Sequence, residues 1–212
     1  MPKPWTEFAC LPPTASSRIG ACVKLDLIYH VTHTNAALRI LDDGAAGRRL
    51  ISDESILNKT RTTVVWLSPD WWNDGFRYGN VRFAYDFKDI VENRNIYWVE
   101  VIRYGTPACR FIVSDKDLRP LGVTPYDPSA ENGPLRFSSG TWWRNERVTT
   151  EIMLDDDLSL TNCRAVDFVQ HHHNQCALYD RNCRDKGSHG RGQLRGLWRT
   201  FWRVTWIAST MQ

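Results

Sequence analysis

The sequence has no long hydrophobic run. None of its stretches approaches the roughly 20 consecutive apolar residues that span a bilayer, which argues against a membrane-spanning helix. The first residues, Met1–Trp5, are interrupted by Pro2 and Pro4 and lack the apolar region of a secretory signal peptide. We therefore expect a cytoplasmic protein with no membrane partner.

The cysteines are too few and too scattered to form a disulfide framework. Six are spread over 212 residues, at positions 10, 22, 109, 163, 176 and 183, so a reducing compartment is the default expectation. The sequence contains no internal repeat and no low-complexity segment. Its length suits one domain, residues 1–212, that can bury a substantial core.

The chain also lacks a strong charge of either sign. A net charge of +3 is too small to indicate nucleic-acid binding, but the charge is unevenly distributed. Residues 181–212 hold seven bases and one acid, whereas the other 180 residues hold 20 bases and 23 acids. The basic end suits phosphates, an acidic partner or a solvated surface, and charge alone does not separate these interpretations.

Tryptophan, by contrast, is abundant: the chain has ten, several-fold above average usage. Many lie in three clusters, Trp71-Trp72, Trp142-Trp143 and Trp198/Trp202/Trp206. Large aromatic side chains commonly fill a core. The alternative is that some of them stack on a nucleotide or base.

Residues 27–44 combine a short apolar strand with an amphipathic helix. Leu27 to Val31 are mostly apolar, and Thr32-His33 mark the end of the strand. Helical spacing follows, and Gly44 supplies a stop. A histidine inside an apolar strand, here His30, is either a core residue bonded to backbone or a functional one.

Further strands are predicted at 62–67, 80–87, 96–102, 109–113 and 148–154, and a long loop at 119–141. A helix is predicted at 194–207. Several strands with few helices indicate an α+β domain on a mainly antiparallel, split β-sheet with flanking helices.

Three motifs resemble those of ADP-ribosyltransferases, most closely the DarT-like group that modifies nucleic acid. The first is Tyr29-His30-Val31-Thr32-His33 with the helix to Gly44. The second runs from Val64-Val65-Trp66-Leu67-Ser68-Pro69 to Tyr78-Gly79-Asn80, and the third is Thr149-Thr150-Glu151-Ile152-Met153-Leu154. The resemblance covers about three quarters of the chain, so residues 160–212 are treated as a Cys/His- and Arg/Trp-rich C-terminal extension.

The resemblance implies NAD as a substrate and an ADP-ribosyltransferase-like fold. It implies that His30 and Thr32 bind the ribose, that Ser68 lies in the cofactor site, and that Tyr78, or else Trp72, packs on nicotinamide. Arg61 resembles an arginine used against the NAD phosphate or the attacked base, although a solvated surface arginine is an alternative. Glu151 resembles the catalytic glutamate, with Glu146 as a weaker rival.

The stretch before Glu151 is predicted to be a loop that recognises the acceptor. It interleaves aromatic, basic and amide side chains that suit an unpaired base and its phosphates: Trp142, Trp143, Arg144, Asn145 and Arg147. The alternative for Glu151 is an outward-facing acid on a half-exposed strand.

A Cys/His-rich stretch, residues 163–189, departs from the resembling family. The pair His173-x-x-Cys176 has a spacing that suits zinc, but the other spacings match no standard finger. We therefore predict no metal ligands and keep structural zinc as the lesser alternative.

The function implied by the resemblance is NAD-dependent mono-ADP-ribosyl transfer to single-stranded DNA or RNA. Such enzymes are toxins of bacterial toxin–antitoxin or phage-defence systems, so an antitoxin protein is a possible partner. Two alternatives stay open: an ADP-ribosyltransferase that modifies a protein, and a non-catalytic module that binds nucleic acid or a partner.

Overall fold

A computed structural model of the chain describes residues 3–10, 22–51, 54–70, 78–103 and 106–169. The strands are β1 (Cys22–Lys24), β2 (Leu27–Thr32), β3 (Ala45–Ala46), β4 (Arg49–Leu50), β5 (Thr63–Leu67), β6 (Val81–Asp86), β7 (Asn95–Arg103), β8 (Pro107–Ser114), β9 (Thr124–Pro125), β10 (Leu135–Ser138), β11 (Thr141–Asn145), β12 (Thr149–Leu154), β13 (Leu158–Ser159) and β14 (Cys163–Phe168). The α-helices are α1 (Thr34–Asp43) and α2 (Phe87–Val91), and 3-10 helices lie at Thr6–Phe8, Ile56–Thr60, Arg119–Leu121, Pro128–Ala130 and Leu160–Asn162. The fold is α+β, as predicted, with mostly antiparallel sheets and few helices.

The chain divides into two compact units. The described residues of the first unit fall within Met1–Ile28, Arg48–Asp70 and Asp86–Asp157. Those of the second fall within Tyr29–Gly47, Trp71–Tyr85 and Leu158–Gln212. The single domain expected from the sequence stays a prediction.

The first unit contains a six-stranded sheet of order β4-β5-β12-β8-β7-β9. Its central pair, β12 and β8, is parallel, whereas the pairs on either side are antiparallel. The strands form here because their β-branched and aromatic residues fit a pleated, buried surface. Val64, Ile112 and Met153 share one buried cluster with Leu57 from the 3-10 helix Ile56–Thr60. Each such side chain contributes about 1.5–3 kcal/mol by leaving water.

A second sheet of the first unit has the order β1-β11-β10. Strands β10 and β11 form a hairpin whose turn, Ser139-Gly140, has positive φ at both residues. The loop predicted for 119–141 is therefore wrong: the stretch contains β9, two 3-10 helices and β10. Cys10 forms a disulfide with Cys22 at the start of β1, a pairing that the scattered cysteines did not predict.

The second unit contains the sheet β14-β6-β2 and the small pair β13-β3. Helix α1 follows β2, as predicted, and ends where Gly44 adopts a left-handed conformation and donates its N–H to the Ile40 carbonyl. Strand β14 was not predicted, because its sequence lacks regular alternation. The helix predicted at 194–207 lies outside the described residues.

In the part of the chain that the structure describes, no helix has the length and apolar character needed to cross a bilayer.

Candidate functional site

Three charged residues lie side by side across the centre of the six-stranded sheet. Arg110 on β8 is in register with Glu151 on β12 and with Glu100 on β7. The register between β7 and β8 shifts between Trp98 and Glu100, which adds one residue to β7. This bulge brings Glu100, rather than Val99, opposite Arg110. The three side chains therefore form a carboxylate–guanidinium–carboxylate row.

Arg110 is the buried centre of this row, with a side chain only 2% exposed. Its Nε donates to Glu151 Oε2 at 2.6 Å, and its Nη1 lies 3.4 Å from Glu100 Oε1. The guanidinium carbon also lies 5.0 Å from the centre of the Trp66 ring. An unpaired buried charge would be costly, so the two acids are required partners of the arginine.

The two acids are engaged to different extents. Glu100, 18% exposed, accepts from Ser55 Oγ at 2.6 Å through Oε1 and from the Ile56 N–H at 3.3 Å through Oε2. Glu151, 13% exposed, is bound through Oε2 by Arg110. Of the residues that the structure describes, none donates a hydrogen bond to Glu151 Oε1. Within the described ranges, one oxygen of this fixed, half-buried carboxylate therefore has no hydrogen-bond donor.

Arg61 follows the 3-10 helix whose N-terminus is capped by Ser55. The helix spans Ile56–Thr60, and Arg61 ends it with a left-handed φ of 53°. Its side chain is exposed, and within the described residues it forms no ion pair. An exposed arginine at this position can bind a phosphate, and it can equally be a solvated surface residue.

A second polar cluster lies where β5 ends and β12 begins. Ser68 Oγ donates to the Thr150 carbonyl at 3.0 Å, and the Thr150 N–H donates to Asp70 Oδ2 at 3.3 Å. Arg144 from β11 donates to Asp70 Oδ1 at 2.7 Å. Burial raises the pKa of Asp70 above its ordinary value of 3.8, and the Arg144 guanidinium opposes that rise. Asp70 thereby links the two sheets of the first unit. It accepts from Arg144 in one sheet and from the N–H of Thr150, the residue before Glu151, in the other.

The predicted acceptor-binding loop is a strand. Three of its residues are already used by the fold: Trp142 packs edge-on against Phe87, Arg144 pairs with Asp70, and the Asn145 amide donates to the carbonyls of Phe8 and Ala9. The loop prediction failed because the β10–β11 hairpin places these side chains against the rest of the first unit.

Trp143 and Arg147 differ from these three, because within the described residues their side chains form no hydrogen bond, ion pair or ring contact. Trp143 is half-buried and lies opposite Lys24 on one side and Arg136 on the other. Its ring makes no aromatic contact within the described ranges. Arg147 is exposed, and its N–H bonds to Asn145 Oδ1 at 3.0 Å.

In the second unit, the first and second motifs meet through backbone. A Cβ at Gly79 would overlap the Thr32 carbonyl and the His33 nitrogen, so only glycine permits this approach. Thr34 Oγ1 also donates to Asn80 Oδ1 at 2.8 Å. These contacts bring residues 78–80 to the end of β2.

Three residues predicted to bind the NAD ribose and nicotinamide, His30, Thr32 and Tyr78, lie on β2 or next to Gly79. His30 is half-buried, with its ring 6.3 Å from that of Phe83, and Thr32 is half-buried at the end of β2. Tyr78 is exposed, at 39%. Trp72, the second candidate for the aromatic wall, lies outside the described residues.

Residues 170–189 of the Cys/His-rich stretch also lie outside the described residues. Cys163 is the one cysteine or histidine of this stretch that the structure describes. Elsewhere in the described chain, no group of three or more potential ligands could hold a metal ion.

Four residues of these clusters are not among the site residues predicted from the sequence: Ser55, Asp70, Glu100 and Arg110. A signal existed for two of them, because Glu100 and Arg110 are single charges inside apolar strand segments. Their mutual register, set by a bulge, had no local signature.

No family model, curated protein or solved structure matches the chain.

Proposed function

We propose that this chain is an NAD-dependent mono-ADP-ribosyltransferase that modifies single-stranded nucleic acid. The proposal includes the finer fold, a split sheet of the ADP-ribosyltransferase type. It is supported by the three motifs that carry the resemblance and by the elements that bear them. His30 lies on β2 before α1, Ser68 directly follows β5, and Glu151 lies on β12.

The reaction places a specific demand on one carboxylate. The bond between the nicotinamide nitrogen and the ribose carbon breaks, and nicotinamide leaves with the electron pair. The ribose carbon then carries positive charge, which a nearby carboxylate stabilises. A nucleophilic atom of the acceptor forms the new bond to that carbon and loses a proton.

The observation that carries the proposal is the state of the Glu151 carboxylate. Arg110 holds Oε2 at 2.6 Å, while Oε1 has no donor among the described residues. A carboxylate that is fixed and half-buried, with one oxygen left over, suits interaction with a ribose hydroxyl and with developing positive charge.

The other roles follow the resemblance. We propose that His30 and Thr32 bind the ribose next to nicotinamide and that Tyr78 packs against the nicotinamide ring. Ser68 and Arg61 are assigned to the cofactor, with Arg61 directed at a phosphate. In the same way, the proposed setting is a toxin of a toxin–antitoxin or phage-defence system, with an antitoxin protein as partner.

One observation favours a second candidate, a non-catalytic binding module. The Glu100–Arg110–Glu151 row is also what a purely structural ion-pair network would look like, since it anchors the 3-10 helix Ile56–Thr60 to the sheet. In that case Glu151 would be needed for stability alone.

The test is incubation of the protein with NAD labelled on the adenylate moiety and, separately, with single-stranded DNA, RNA and protein. We expect label in a polynucleotide, and we expect Glu151→Gln to abolish transfer while most NAD affinity is retained. The melting temperature of this variant should fall, because buried Arg110 loses a charged partner. Exposed Glu146 is the matched control, and Glu146→Gln should keep near-normal transfer. Label in protein would favour a protein acceptor. Absence of any NAD turnover by the wild type would favour the binding module.

A further inference from the structure

We infer that Glu100 is a positioning residue for Glu151 and that it acts through the guanidinium of Arg110. This inference rests on the proposed function, because it assigns Glu151 to the reaction. It adds two residues, Glu100 and Arg110, that none of the three motifs contains. The inference follows from the unequal engagement of the two acids.

Glu100 has the contacts of an anchor. Ser55 Oγ and the Ile56 N–H occupy its two oxygens at 2.6 and 3.3 Å, and Ser55 in turn caps the 3-10 helix by accepting from the Leu57 N–H. A carboxylate bonded on both oxygens to the start of a helix has little freedom to rotate. Glu100 therefore offers Arg110 a fixed point of negative charge.

Arg110 connects the fixed Glu100 carboxylate to Glu151. Its Nη1 lies 3.4 Å from both Glu100 Oε1 and the Glu54 carbonyl, and its Nε lies 2.6 Å from Glu151 Oε2. The guanidinium is planar, so holding one edge in place fixes the direction in which the Nε–H points. If Glu100 were absent, Glu151 would be the one remaining acid in the row. The guanidinium would then move together with the Glu151 carboxylate and would not orient it.

The Trp66 ring completes the support. It lies against the guanidinium at 5.0 Å, on the strand that neighbours β12. The row is therefore held at Glu100, at the Glu54 carbonyl and at Trp66, and we assign to the substrate Glu151 Oε1, which has no donor among the described residues. Because a displacement of about 1 Å in a reacting group can cost 10²-fold in rate, such support has a measurable value in turnover.

Four variants separate positioning from stability. Glu100→Ala removes both acceptor oxygens, whereas Glu100→Gln keeps one acceptor oxygen in place. Arg110→Lys keeps the charge but loses the planar fork. The matched control is Asp155→Asn, because Asp155 is also a half-buried acid, 12% exposed, that binds Ser114 Oγ and Lys116 Nζ at 3.1 Å each.

We expect kcat for NAD consumption to fall about 10-fold or more in Glu100→Ala and in Arg110→Lys, with the KM for NAD changed less than about 3-fold, as for loss of an interaction made in the transition state. Glu100→Gln should recover part of the lost kcat. Asp155→Asn should lower the melting temperature less, because its cationic partners Arg48 and Lys116 are exposed, and should leave kcat near that of the wild type. If the Glu100 variants lose no more kcat than Asp155→Asn, the inference is overturned.

A second readout needs no activity. In protein labelled with ¹³C at the glutamate side-chain carboxyl carbon, the Glu151 resonance is identified by its loss in Glu151→Gln. We expect this resonance to shift in Glu100→Gln and to stay in place in Asp155→Asn. An unchanged Glu151 resonance in Glu100→Gln overturns the inference. If the resonance shifts but the wild type consumes no NAD, the proposed function fails while the coupling of Glu100 to Glu151 stands.

Discussion

Gly79 shows how a single missing side chain joins two sequence motifs. Its φ of 142° is a conformation that L side chains rarely adopt. Its backbone also lies so close to Thr32 and His33 that no Cβ fits between them. Tyr78 and Asn80 therefore reach the end of β2 only if the residue between them is glycine.

We expect Gly79→Ala to destabilise the protein by at least the 1–3 kcal/mol of the unfavourable backbone conformation, on the order of several degrees in melting temperature. The overlap with Thr32 and His33 adds to this loss. Under the proposed function, NAD affinity falls as well, because residues 78–80 move away from β2. Thermal melting and isothermal titration with NAD measure the two effects.

The matched control is Gly122→Ala. Gly122 also has positive φ, 85°, but no atom lies within 4 Å of the position that its Cβ would occupy. This variant should show the smaller stability loss and unchanged NAD binding. Equal losses in the two alanine variants would show that the close approach at Gly79 is unimportant.

Asp70 gives a prediction about pH, because burial raises its pKa above the ordinary value of 3.8. Between the unfolded and the raised folded pKa, the folded state binds more protons, so this residue makes stability fall as pH rises through that interval. Asp70→Asn removes the titration. We therefore expect the melting temperature of the variant, relative to that of the wild type, to increase as pH rises upward from about 4. A relative melting temperature that decreases with pH would contradict the sign.

At the scale of elements, the β10–β11 hairpin separates two adjacent tryptophans. Trp142 packs against Phe87 and Phe137, with ring centres 5.1 and 4.9 Å away. Trp143 points to the opposite face of the strand, in register with Lys24 and Arg136. Trp142 is therefore a packing residue, and Trp143, on the other face of the central strand of this sheet, is the candidate for base stacking.

We expect Trp142→Ala to cost about 2–3 kcal/mol, somewhat below the range for a fully buried tryptophan, and to lower every activity through instability. Trp143→Ala should cost less stability and reduce transfer to nucleic acid more than NAD hydrolysis, because stacking contributes about 1–3 kcal/mol per base. The ratio of transfer to hydrolysis, measured with the same labelled NAD, tests this. Loss of both activities to the same extent in Trp143→Ala would remove the residue from acceptor binding.

The elements also show which parts of the fold local sequence could predict. Strand β2, helix α1 and the Gly44 stop were predictable because alternation, helical spacing and a C-terminal glycine act within a few residues. The β10–β11 hairpin was not, because the prolines and glycines around it suggested a loop, whereas β1 supplies its pairing from more than 100 residues earlier in the chain. Propensity is outweighed there by pairing with a distant strand.

The residues of the candidate site also differ in whether local sequence could predict them. Glu151 could be proposed from its own motif, but its partner Arg110 is 41 residues away and reaches it through the pairing of β8 with β12. Glu100 faces Arg110 because of a bulge in β7. Such register details depend on how whole strands pack, so one sequence contains no local signal for them.

For the molecule as a whole, charge limits the kind of acceptor. Outside residues 181–212 the chain carries 20 bases and 23 acids, so most of it does not attract duplex phosphate through net charge. The two cations opposite Trp143 of β11 are each paired with an acid. Lys24 pairs with Asp26 at 2.9 Å, and Arg136 pairs with Glu131 at 2.8 Å. Affinity for nucleic acid would then depend on contacts with bases more than on phosphate charge.

We therefore expect single-stranded DNA or RNA to be modified and the matching duplex to be a poor acceptor. Chemistry on a base needs an atom that stacking and pairing hide, and an unpaired base exposes it without the unstacking cost of a few kcal/mol. The measurement compares label transferred from NAD to one oligonucleotide, free and annealed to its complement, at two salt concentrations. Transfer to the single strand should depend only weakly on salt, because few phosphates are neutralised. Equal labelling of both forms, or a steep loss of transfer with salt, would instead indicate an acceptor held through its phosphate backbone.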